Sequence, residues 1–264
     1  MNQPGTEALL QTRGLTRTFG RLVALNGVAI TVRRGEIFGV IGPNGSGKST
    51  LFNLVTGFLR ADTGEVTFDG APIANLPATE IVRRGIARTF QGTRLFRGLS
   101  VRDNLLAAAA LRKPTAWWDG LLGTPKLADA EAASHQRASD LLRLINLTAR
   151  ADTKAGDLPY GDQRRLELAR ALATGPKLLM LDEPAAGMDA AETKALLDLI
   201  DDLRKRENLT VIVVEHDMEL IMNLCDRVHV LAQGETVFEG TPTEVQAHPK
   251  VRDVYLGSDE EAVA

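Results

Sequence analysis

A glycine-rich segment that ends in lysine and serine is the strongest chemical signal in the sequence. Residues 42–50 have the sequence GPNGSGKST, which follows an apolar run at 37–41 and precedes a helical pattern from Leu51. A strand, a glycine-rich loop and a helix in this order are what the phosphate-loop pattern G-x-x-x-x-G-K-[ST] requires. The backbone N–H groups of such a loop and the positive end of the helix surround an anion. The segment therefore predicts a site for a nucleoside triphosphate. The alternative is a glycine turn that only connects a strand and a helix.

Two side chains of this segment have chemistry of their own. Lys48 can reach the β- and γ-phosphates, and the hydroxyl of Ser49 can bind Mg²⁺. The residues predicted to bind the nucleotide here are Asn44, Gly45, Ser46, Gly47, Lys48, Ser49 and Thr50.

Two further apolar runs end in side chains that suit hydrolysis. Residues 178–181 precede Asp182 and Glu183, and residues 210–214 precede a segment that contains His216. Open α/β sheets bind ligands at the carboxyl ends of their strands. Asp182 suits a Mg²⁺ shell through water, Glu183 suits a base that orients or deprotonates the attacking water, and His216 suits a γ-phosphate contact. The alternatives are a solvated acidic turn for the two carboxylates and a capping or surface role for the histidine.

The order of these motifs and of several others resembles that of the nucleotide-binding subunits of ABC transporters. The resemblance covers about residues 10–257 and includes RTFQ at 88–91, LPYGDQRR at 158–165, LDEP at 181–184 and AGMD at 186–189. Within that superfamily the chain most resembles the bacterial branched-chain (hydrophobic) amino acid importers. The form YGDQRR, the segment RTFQ and the closing YLG at 255–257 indicate this branch.

The resemblance implies roles for residues that the chemistry alone does not single out. Phe19 matches the aromatic ring that stacks on adenine, although it also suits an anchor at a strand edge. Gln91 matches the residue that contacts Mg²⁺ or the attacking water, on a loop that senses the membrane subunit. Asp189 matches the loop that crosses a dimer interface. The implied catalytic residues are Glu183, His216 and Gln91, and the implied Mg²⁺ ligands, partly through water, are Ser49, Gln91 and Asp182.

The signature at 158–165 departs from the commonest LSGGQ form of the family. Pro159 replaces serine and Tyr160 replaces the first glycine, whereas Gly161 is kept. The hydroxyl that usually touches the γ-phosphate across the interface is therefore absent. The backbone N–H of Gly161 and the positive end of the helix that follows are predicted to contact the phosphate in trans.

Composition limits the class of protein. The chain has 264 residues, with 44% hydrophobic and 25% charged residues, which is typical of a globular protein. Its formal net charge of −3 provides no general attraction to nucleic acid, so no nucleic-acid partner is expected. The single cysteine, Cys225, suits a reducing compartment. We expect no signal peptide and no membrane span, so attachment to a membrane would require a partner.

The elements that must position these residues follow from the patterns between the motifs. We predict an α/β fold, a P-loop ABC-type ATPase core with an antiparallel β layer and an inserted helical subdomain. Residues 1–90 and 158–264 would form the ATP-binding core, and residues 91–157 the helical subdomain. Ser100 and Asp103 resemble a capping box that opens a helix to about residue 112, and a second helix is expected at 128–145. A strand at 234–240 and a short helix at 241–248 would close the chain.

Several functions remain open at this stage. The first is the ATPase subunit of a membrane importer, with ATP and Mg²⁺ as ligands. Its expected partners are integral membrane permease subunits, a second ATP-binding subunit as homo- or heterodimer, and indirectly a periplasmic binding protein. Its expected place is peripheral, on the cytoplasmic face of the inner membrane.

The alternatives concern the cargo and the use of the nucleotide. Another cargo, such as urea, amides or a lipid, and a nucleotide-binding switch without transport both remain possible. Chromosome-maintenance ATPases are excluded, because about 110 residues without sustained heptads separate Lys48 from Leu158. Trp117 and Trp118 suit either a contact with the membrane subunit or lipid interface, or a local hydrophobic packing of a loop.

Overall fold

A computed structural model of the chain describes residues 7–90, 92, 94–112, 125–215 and 217–260. The strands are β1 Ala8–Phe19, β2 Leu22–Val28, β3 Thr31–Arg33, β4 Ile37–Ile41, β5 Thr63–Phe68, β6 Ala71–Pro72, β7 Ile86–Arg88, β8 Leu178–Asp182, β9 Thr210–Val214, β10 Arg227–Ala232 and β11 Glu235–Gly240. The helices are α1 Lys48–Val55, α2 Ala78–Arg84, α3 Val101–Ala109, α4 Pro125–Leu144, α5 Tyr160–Ala173, α6 Ala190–Glu207, α7 Met218–Leu224, α8 Pro242–Ala247 and α9 Pro249–Glu260.

A largely parallel sheet with the order β11-β10-β4-β9-β8-β7 forms the centre of the molecule. Strands β10, β4, β9, β8 and β7 pair in parallel, and β11 pairs antiparallel at one edge. Every residue of β4, β8 and β9 is buried. This burial on both faces explains why their sequences are continuous apolar runs rather than alternating ones.

Successive side chains of these strands enter two different hydrophobic clusters. Ile37 and Ile41 belong to the cluster that contains α3, α4, α5 and α6, whereas Phe38 and Val40 belong to the cluster that contains α1 and the antiparallel layer. The two-residue period of a strand places its neighbours on opposite faces. The parallel sheet therefore separates two layers of packing.

The antiparallel layer is built around β1, which pairs with β2, β3 and β5. Strand β2 ends at Val28 and β3 begins at Thr31, so a short break separates them. Thr12 of β1 bridges this break: its hydroxyl donates to Val28 O at 3.2 Å and accepts from Ile30 N at 3.0 Å. The predicted antiparallel layer is confirmed.

The described residues between 94 and 157 form helices and turns and no strand. Ser100 is the N-cap of α3 and its Oγ accepts from Asp103 N at 3.0 Å, so the predicted helix start is confirmed. The α-helix ends at Ala109 and continues as a 3₁₀ turn through Ala110–Arg112. One hydrophobic cluster runs from these helices to the parallel sheet without interruption. The division of the chain at residues 91–157 therefore stays a prediction.

The end of the chain follows the predicted order of strand and helix. Strand β11 leads into α8, which begins at a capping box in which Thr241 accepts from Glu244 N and Glu244 accepts from Thr241 N. A further helix, α9, follows at Pro249, so the prediction that the short helix closes the chain is wrong. Across the described residues, the helices are too short or too polar to cross a membrane.

Candidate functional site

The order of the parallel strands brings the predicted motifs to one edge of the sheet. The phosphate loop follows β4, Asp182 ends β8, and Arg88 ends β7. Strand β9 lies between β4 and β8, so the segment after β9 emerges between the phosphate loop and the two carboxylates. Parallel strands end at the same edge of a sheet, which is where α/β proteins bind ligands.

Two glycines of the phosphate loop have backbone conformations and surroundings that a side chain would not tolerate. Gly42 has a φ of 152°, and a Cβ there would lie 2.0 Å from Leu231 O. Gly47, the N-cap of α1, has a φ of 107°, and a Cβ there would lie 2.6 Å from Ala24 O. Both positions require glycine because the backbone has positive φ and contacts neighbouring carbonyl groups. The loop is thus held closely between β10 and β2.

The amino end of α1 provides a positive, open site for an anion. Lys48 is 7% exposed, and its Nζ donates to Gly42 O at 2.6 Å and to Pro43 O at 2.9 Å. The first turn of α1 has no acidic residue and no capping side chain, and the buried Ser46 Oγ has no hydrogen-bond partner among the described residues. Helix N–H groups without partners attract phosphate. This arrangement fits the phosphates of a nucleotide.

The ammonium group of Lys48 interacts electrostatically with Glu183, the predicted base, and with Asp182, a predicted Mg²⁺ ligand. Burial lowers the pKa of Lys48, while the charges of Glu183 and Asp182 act on it in the opposite direction. These charge interactions require the three side chains to share one region. The structure therefore brings together residues separated by more than a hundred positions in the sequence.

Asp182 forms a buried ion pair that the sequence analysis did not anticipate. Arg88 Nη2 donates to Asp182 Oδ2 at 2.7 Å, and both side chains are 7% exposed. The same guanidinium donates to Asn53 Oδ1 at 2.6 Å, and Asp182 N donates to Thr89 Oγ1 at 3.3 Å. Arg88 was singled out only as part of the segment RTFQ. The arginine and the aspartate terminate neighbouring strands, so their contact depends on the strand order.

Glu183 stands in a backbone conformation that is uncommon for its residue type. Its φ is +48°, its N–H donates to Val214 O at 2.9 Å, and its carbonyl accepts from Ala186 N at 3.2 Å. Left-handed conformations of residues other than glycine cost free energy and occur often at active sites. The turn directs the chain sharply away from β8, immediately after Asp182. This position is consistent with the predicted role of Glu183 as a base.

The segment after β9 contains two structural residues beside the predicted histidine. Glu215 is buried, and its Oε1 accepts from Ala185 N at 3.1 Å, which holds the turn that follows Glu183. Asp217 is the N-cap of α7 and accepts from Glu219 N at 2.9 Å. His216 itself lies outside the described residues, so its γ-phosphate contact stays a prediction.

The signature residues contact the loop that carries Asp189. Tyr160 Oη donates to Ala186 O at 2.9 Å and accepts from Arg164 Nε at 3.0 Å. A Cβ on Gly161 would lie 2.4 Å from Glu192 Oε1. Tyr160, which replaces a glycine of the commonest signature, therefore connects the signature helix to the loop predicted to cross a dimer interface.

Asp189 has a structural role in the single chain. It is the N-cap of α6, where its Oδ1 accepts from Glu192 N at 2.8 Å and Glu192 Oε2 accepts from Asp189 N at 3.3 Å. A capping box of this kind fixes the start of a helix. The predicted trans contact of Gly161 is not tested by the single chain and stays a prediction.

The remaining predicted residues lie at the periphery of the described structure or outside it. Phe19 ends β1 and is 43% exposed, and the guanidinium carbon of Arg17 lies 4.8 Å from its ring centroid. An exposed aromatic ring beside a cation remains available for stacking on a base. Gln91, Trp117 and Trp118 lie outside the described residues.

Ser49 and Asp182 provide a donor set that fits Mg²⁺. The hydroxyl of Ser49 belongs to an exposed residue in the first turn of α1, and the Asp182 carboxylate ends β8. Magnesium is usually held by one or two carboxylates together with waters and the phosphates of the substrate. These residues fit that mode of binding.

Comparisons with known proteins identify the family of the chain. The family model described as "ABC transporter" matches residues 25–186, and one described as "Branched-chain amino acid ATP-binding cassette transporter" matches residues 235–261. The high-affinity branched-chain amino acid transport ATP-binding protein LivG of Salmonella typhimurium is 45% identical over 97% of this chain and 99% of its own length. The corresponding protein BraF of Pseudomonas aeruginosa is 43% identical over 94% of this chain and 98% of its own length.

Solved structures agree with the sequence relatives. A crystal structure of an ATP-binding cassette of an ABC transporter in its ADP conformation has a TM-score of 0.82 and 32% identity, and it covers 96% of this chain and 100% of that chain. A dimeric ATP-binding cassette in a post-hydrolysis state, bound to ADP and Pi, has a TM-score of 0.74 and 26% identity, and it covers 89% of this chain and 99% of that chain. Because the matching family model spans more than half of the sequence and the relatives match it almost from end to end, the chain belongs to the ABC transporter family as an ATP-binding cassette.

Proposed function

We propose that the chain is the ATP-hydrolysing subunit that energises a membrane importer of branched-chain or other hydrophobic amino acids. The observation that carries the proposal is that the phosphate loop with Lys48 follows β4, while Asp182 and Glu183 stand at the carboxyl end of β8 in the same parallel sheet. A phosphate site beside two carboxylates is what a nucleotide hydrolase needs. The names of the relatives, transport ATP-binding proteins for branched-chain amino acids, support the class of cargo.

The described residues of the site have separate roles in phosphate binding, water activation and metal binding. The N–H groups at the start of α1 and the Lys48 ammonium bind the β- and γ-phosphates and offset their charge. Glu183 orients the attacking water and accepts its proton, a role that requires a carboxylate held in place, as its turn provides. Ser49 and, through water, Asp182 would hold Mg²⁺, which would supply charge stabilisation on the phosphate oxygens.

We propose that hydrolysis occurs at the interface of two ATP-binding subunits. The signature helix α5 contacts the loop before α6 through Tyr160 and faces Glu192 of α6 at Gly161, so the two segments can present one surface to a second subunit. In that arrangement Gly161 donates its N–H to the γ-phosphate bound by the other chain. The dimeric cassette bound to ADP and Pi supports association of this kind. ATP then stabilises the closed dimer, and hydrolysis releases it.

We propose that the permease subunits dock next to the site. An apolar groove lies beside β7 and is lined by Phe58, Ile81, Phe90 and Leu111, of which Phe58 and Leu111 are more than half exposed. Exposed apolar patches of this kind mark interaction surfaces. Phe90 directly precedes Gln91 in the sequence, so an occupant of the groove would contact the residue next to the predicted catalytic glutamine. Peripheral binding at the cytoplasmic face of the inner membrane, with a periplasmic binding protein as an indirect partner, follows from this assembly.

Reconstitution tests the function and the cargo together. The tagged chain is expected to co-purify with integral membrane subunits, and the complex in lipid vesicles is expected to take up leucine when ATP is supplied. Glu183→Gln serves as the matched control, because it preserves the shape of the side chain but removes the base. Uptake of urea or amides with no uptake of leucine would contradict the assigned cargo. A chain that hydrolyses ATP but joins no membrane subunit would instead indicate a nucleotide-dependent switch.

A further inference from the structure

The tyrosine that replaces a glycine of the commonest signature joins two segments that lie far apart in the sequence. We propose that Tyr160 is a positioning residue, which holds the loop at 186–189 against the signature helix α5, so that both segments act together on the nucleotide bound by the partner subunit. The inference rests on the proposed function, because it assumes that hydrolysis occurs between two subunits. It assigns a role to a residue at which the signature departs from its commonest form.

The hydroxyl group of Tyr160 has a partner on each side. Its Oη donates to Ala186 O at 2.9 Å and accepts from Arg164 Nε at 3.0 Å. A phenol has a single proton, and a carbonyl oxygen can only accept, so this proton lies between Tyr160 and Ala186. While it holds the loop, the hydroxyl group therefore cannot replace the missing serine hydroxyl of the signature as a donor to phosphate.

The ring of Tyr160 covers the next residue of the same loop. Gly187 has a φ of +78°, and a Cβ built on it would lie 3.3 Å from Tyr160 Cε1. Glycine adopts this left-handed backbone conformation without the cost that a side chain would add, so the chain can turn close to the ring. The loop thus meets Tyr160 twice, through the carbonyl group of Ala186 and through the backbone of Gly187.

Arg164 fixes the orientation of the tyrosine from within α5. Its Nη1 donates to Glu167 Oε2 at 3.1 Å, and both side chains of this ion pair are buried. The guanidinium carbon of Arg164 also lies 5.3 Å from the centroid of the Tyr160 ring. A buried ion pair resists separation, because each charge would be left without compensation. Tyr160, although exposed, therefore contacts the loop from a fixed position.

The predicted base, in the turn that leads into this loop, has supports of its own. Glu183 N donates to Val214 O at 2.9 Å, and Glu215 Oε1 accepts from Ala185 N at 3.1 Å. These bonds come from the end of β9 and the residue after it, and they do not involve the signature helix. Loss of the tyrosine hydroxyl is therefore expected to loosen the loop beyond the base and to leave the base in place.

Mixed dimers test at which of the two sites Tyr160 acts. When Lys48→Ala chains are combined with Gly161→Asp chains, the complete site takes its signature from the Lys48→Ala chain and its phosphate loop from the other. Tyr160→Phe removes the hydroxyl and keeps the ring. Placed in the Lys48→Ala chain, it is expected to lower ATP hydrolysis by about two- to tenfold, the equivalent of the neutral bond to Ala186 O. The same substitution in the Gly161→Asp chain, whose signature does not contribute to the complete site, is the matched control and is expected to leave hydrolysis unchanged.

Hydrogen exchange of the nucleotide-free chain separates positioning from direct contact with phosphate. Met188 N donates to Ala185 O at 3.1 Å across the loop. Tyr160→Phe is expected to increase the exchange rate of this amide by about two- to tenfold, because local opening of the loop then breaks one hydrogen bond fewer. A tyrosine that only contacted phosphate across the interface would leave exchange without nucleotide unchanged.

The results that overturn the inference are distinct from those that overturn the proposed function. An equal loss of hydrolysis in the two mixed dimers, no loss in either, or unchanged exchange of the Met188 amide overturns the role of Tyr160 and leaves the proposed function intact. A proven mixed dimer that hydrolyses no ATP before Tyr160 is changed overturns the inference together with the trans contact on which it rests.

Discussion

Arg88→Met is expected to lower the stability of the fold substantially, because it breaks the buried ion pair at the end of β8. Arg88 Nη2 lies 2.7 Å from Asp182 Oδ2, and both side chains are 7% exposed. Methionine keeps most of the length of the side chain and its contact with the Phe52 ring, whose centroid lies 5.4 Å from the guanidinium carbon. The variant therefore removes the charge and the hydrogen bonds more than the packing.

The magnitude follows from the burial of the carboxylate that remains. Removal of one partner from a buried ion pair costs about 3–5 kcal/mol, because the other charge is left without compensation. The ammonium group of Lys48 acts on the same carboxylate, so we expect a loss near the lower limit, about 3 kcal/mol. For a chain of this size, each kcal/mol lowers the unfolding midpoint by about 2–4 °C. A decrease of roughly 6–12 °C is expected.

Urea unfolding of the parent and the variant measures this change directly. Arg83→Met is the matched control: Arg83 is 63% exposed and lies 3.9 Å from Glu80, an exposed pair expected to contribute about 0–1 kcal/mol. The double variant Arg88→Met with Asp182→Ala is expected to lose less than the sum of the two single variants, because each removes the same pair. If Arg88→Met loses no more stability than Arg83→Met, the ion pair does not stabilise the fold and the reasoning is refuted.

Three further predictions concern the catalytic steps. Lys48→Ala is expected to abolish tight ATP binding and leave the chain folded, because it removes the cation that faces the phosphates. A nucleotide titration of the folded variant measures the affinity. An affinity equal to that of the parent would show that Lys48 does not bind the nucleotide. Glu183→Gln is expected to reduce ATP hydrolysis by about 10²–10⁴-fold. An ATP-bound dimer is expected to accumulate, which light scattering would detect. Undiminished ATP turnover would show that another residue acts as the base. Gly161→Asp is expected to abolish hydrolysis and leave ATP binding unchanged. Mixing Gly161→Asp chains with Lys48→Ala chains is expected to restore ATP hydrolysis, because one site of the mixed dimer combines an intact phosphate loop from one chain with an intact signature from the other. Because Glu192 of the same chain lies beside Gly161, the mixture is repeated with Glu192→Gln in the Gly161→Asp chain to relieve the repulsion between the two carboxylates. A proven mixed dimer without activity would contradict the trans contact.

Much of the site could be predicted because its parts are local in sequence. The phosphate loop needs glycines, a lysine and a hydroxyl within nine consecutive residues, and Ser100 caps the helix that begins at the next residue. Helix starts and tight loops form from neighbouring residues, so their composition identifies them. Helix α4 begins at Pro125, three residues before the predicted start, because proline suits the first turn of a helix, where its missing N–H costs nothing.

The contacts that turn these parts into a site depend on the order of the strands. Arg88 meets Asp182 because β7 and β8 are neighbours, and Lys48 shares a region with Glu183 because β9 alone separates β4 from β8. The apolar runs of buried parallel strands resemble one another, so the sequence determined that such strands exist and which residues follow them. It contained no local signal for which strand pairs with which. Gly234 N donates to Ser46 O at 3.0 Å only after β10 and β11 have packed beside the phosphate loop, since long-range packing decides which distant groups become neighbours.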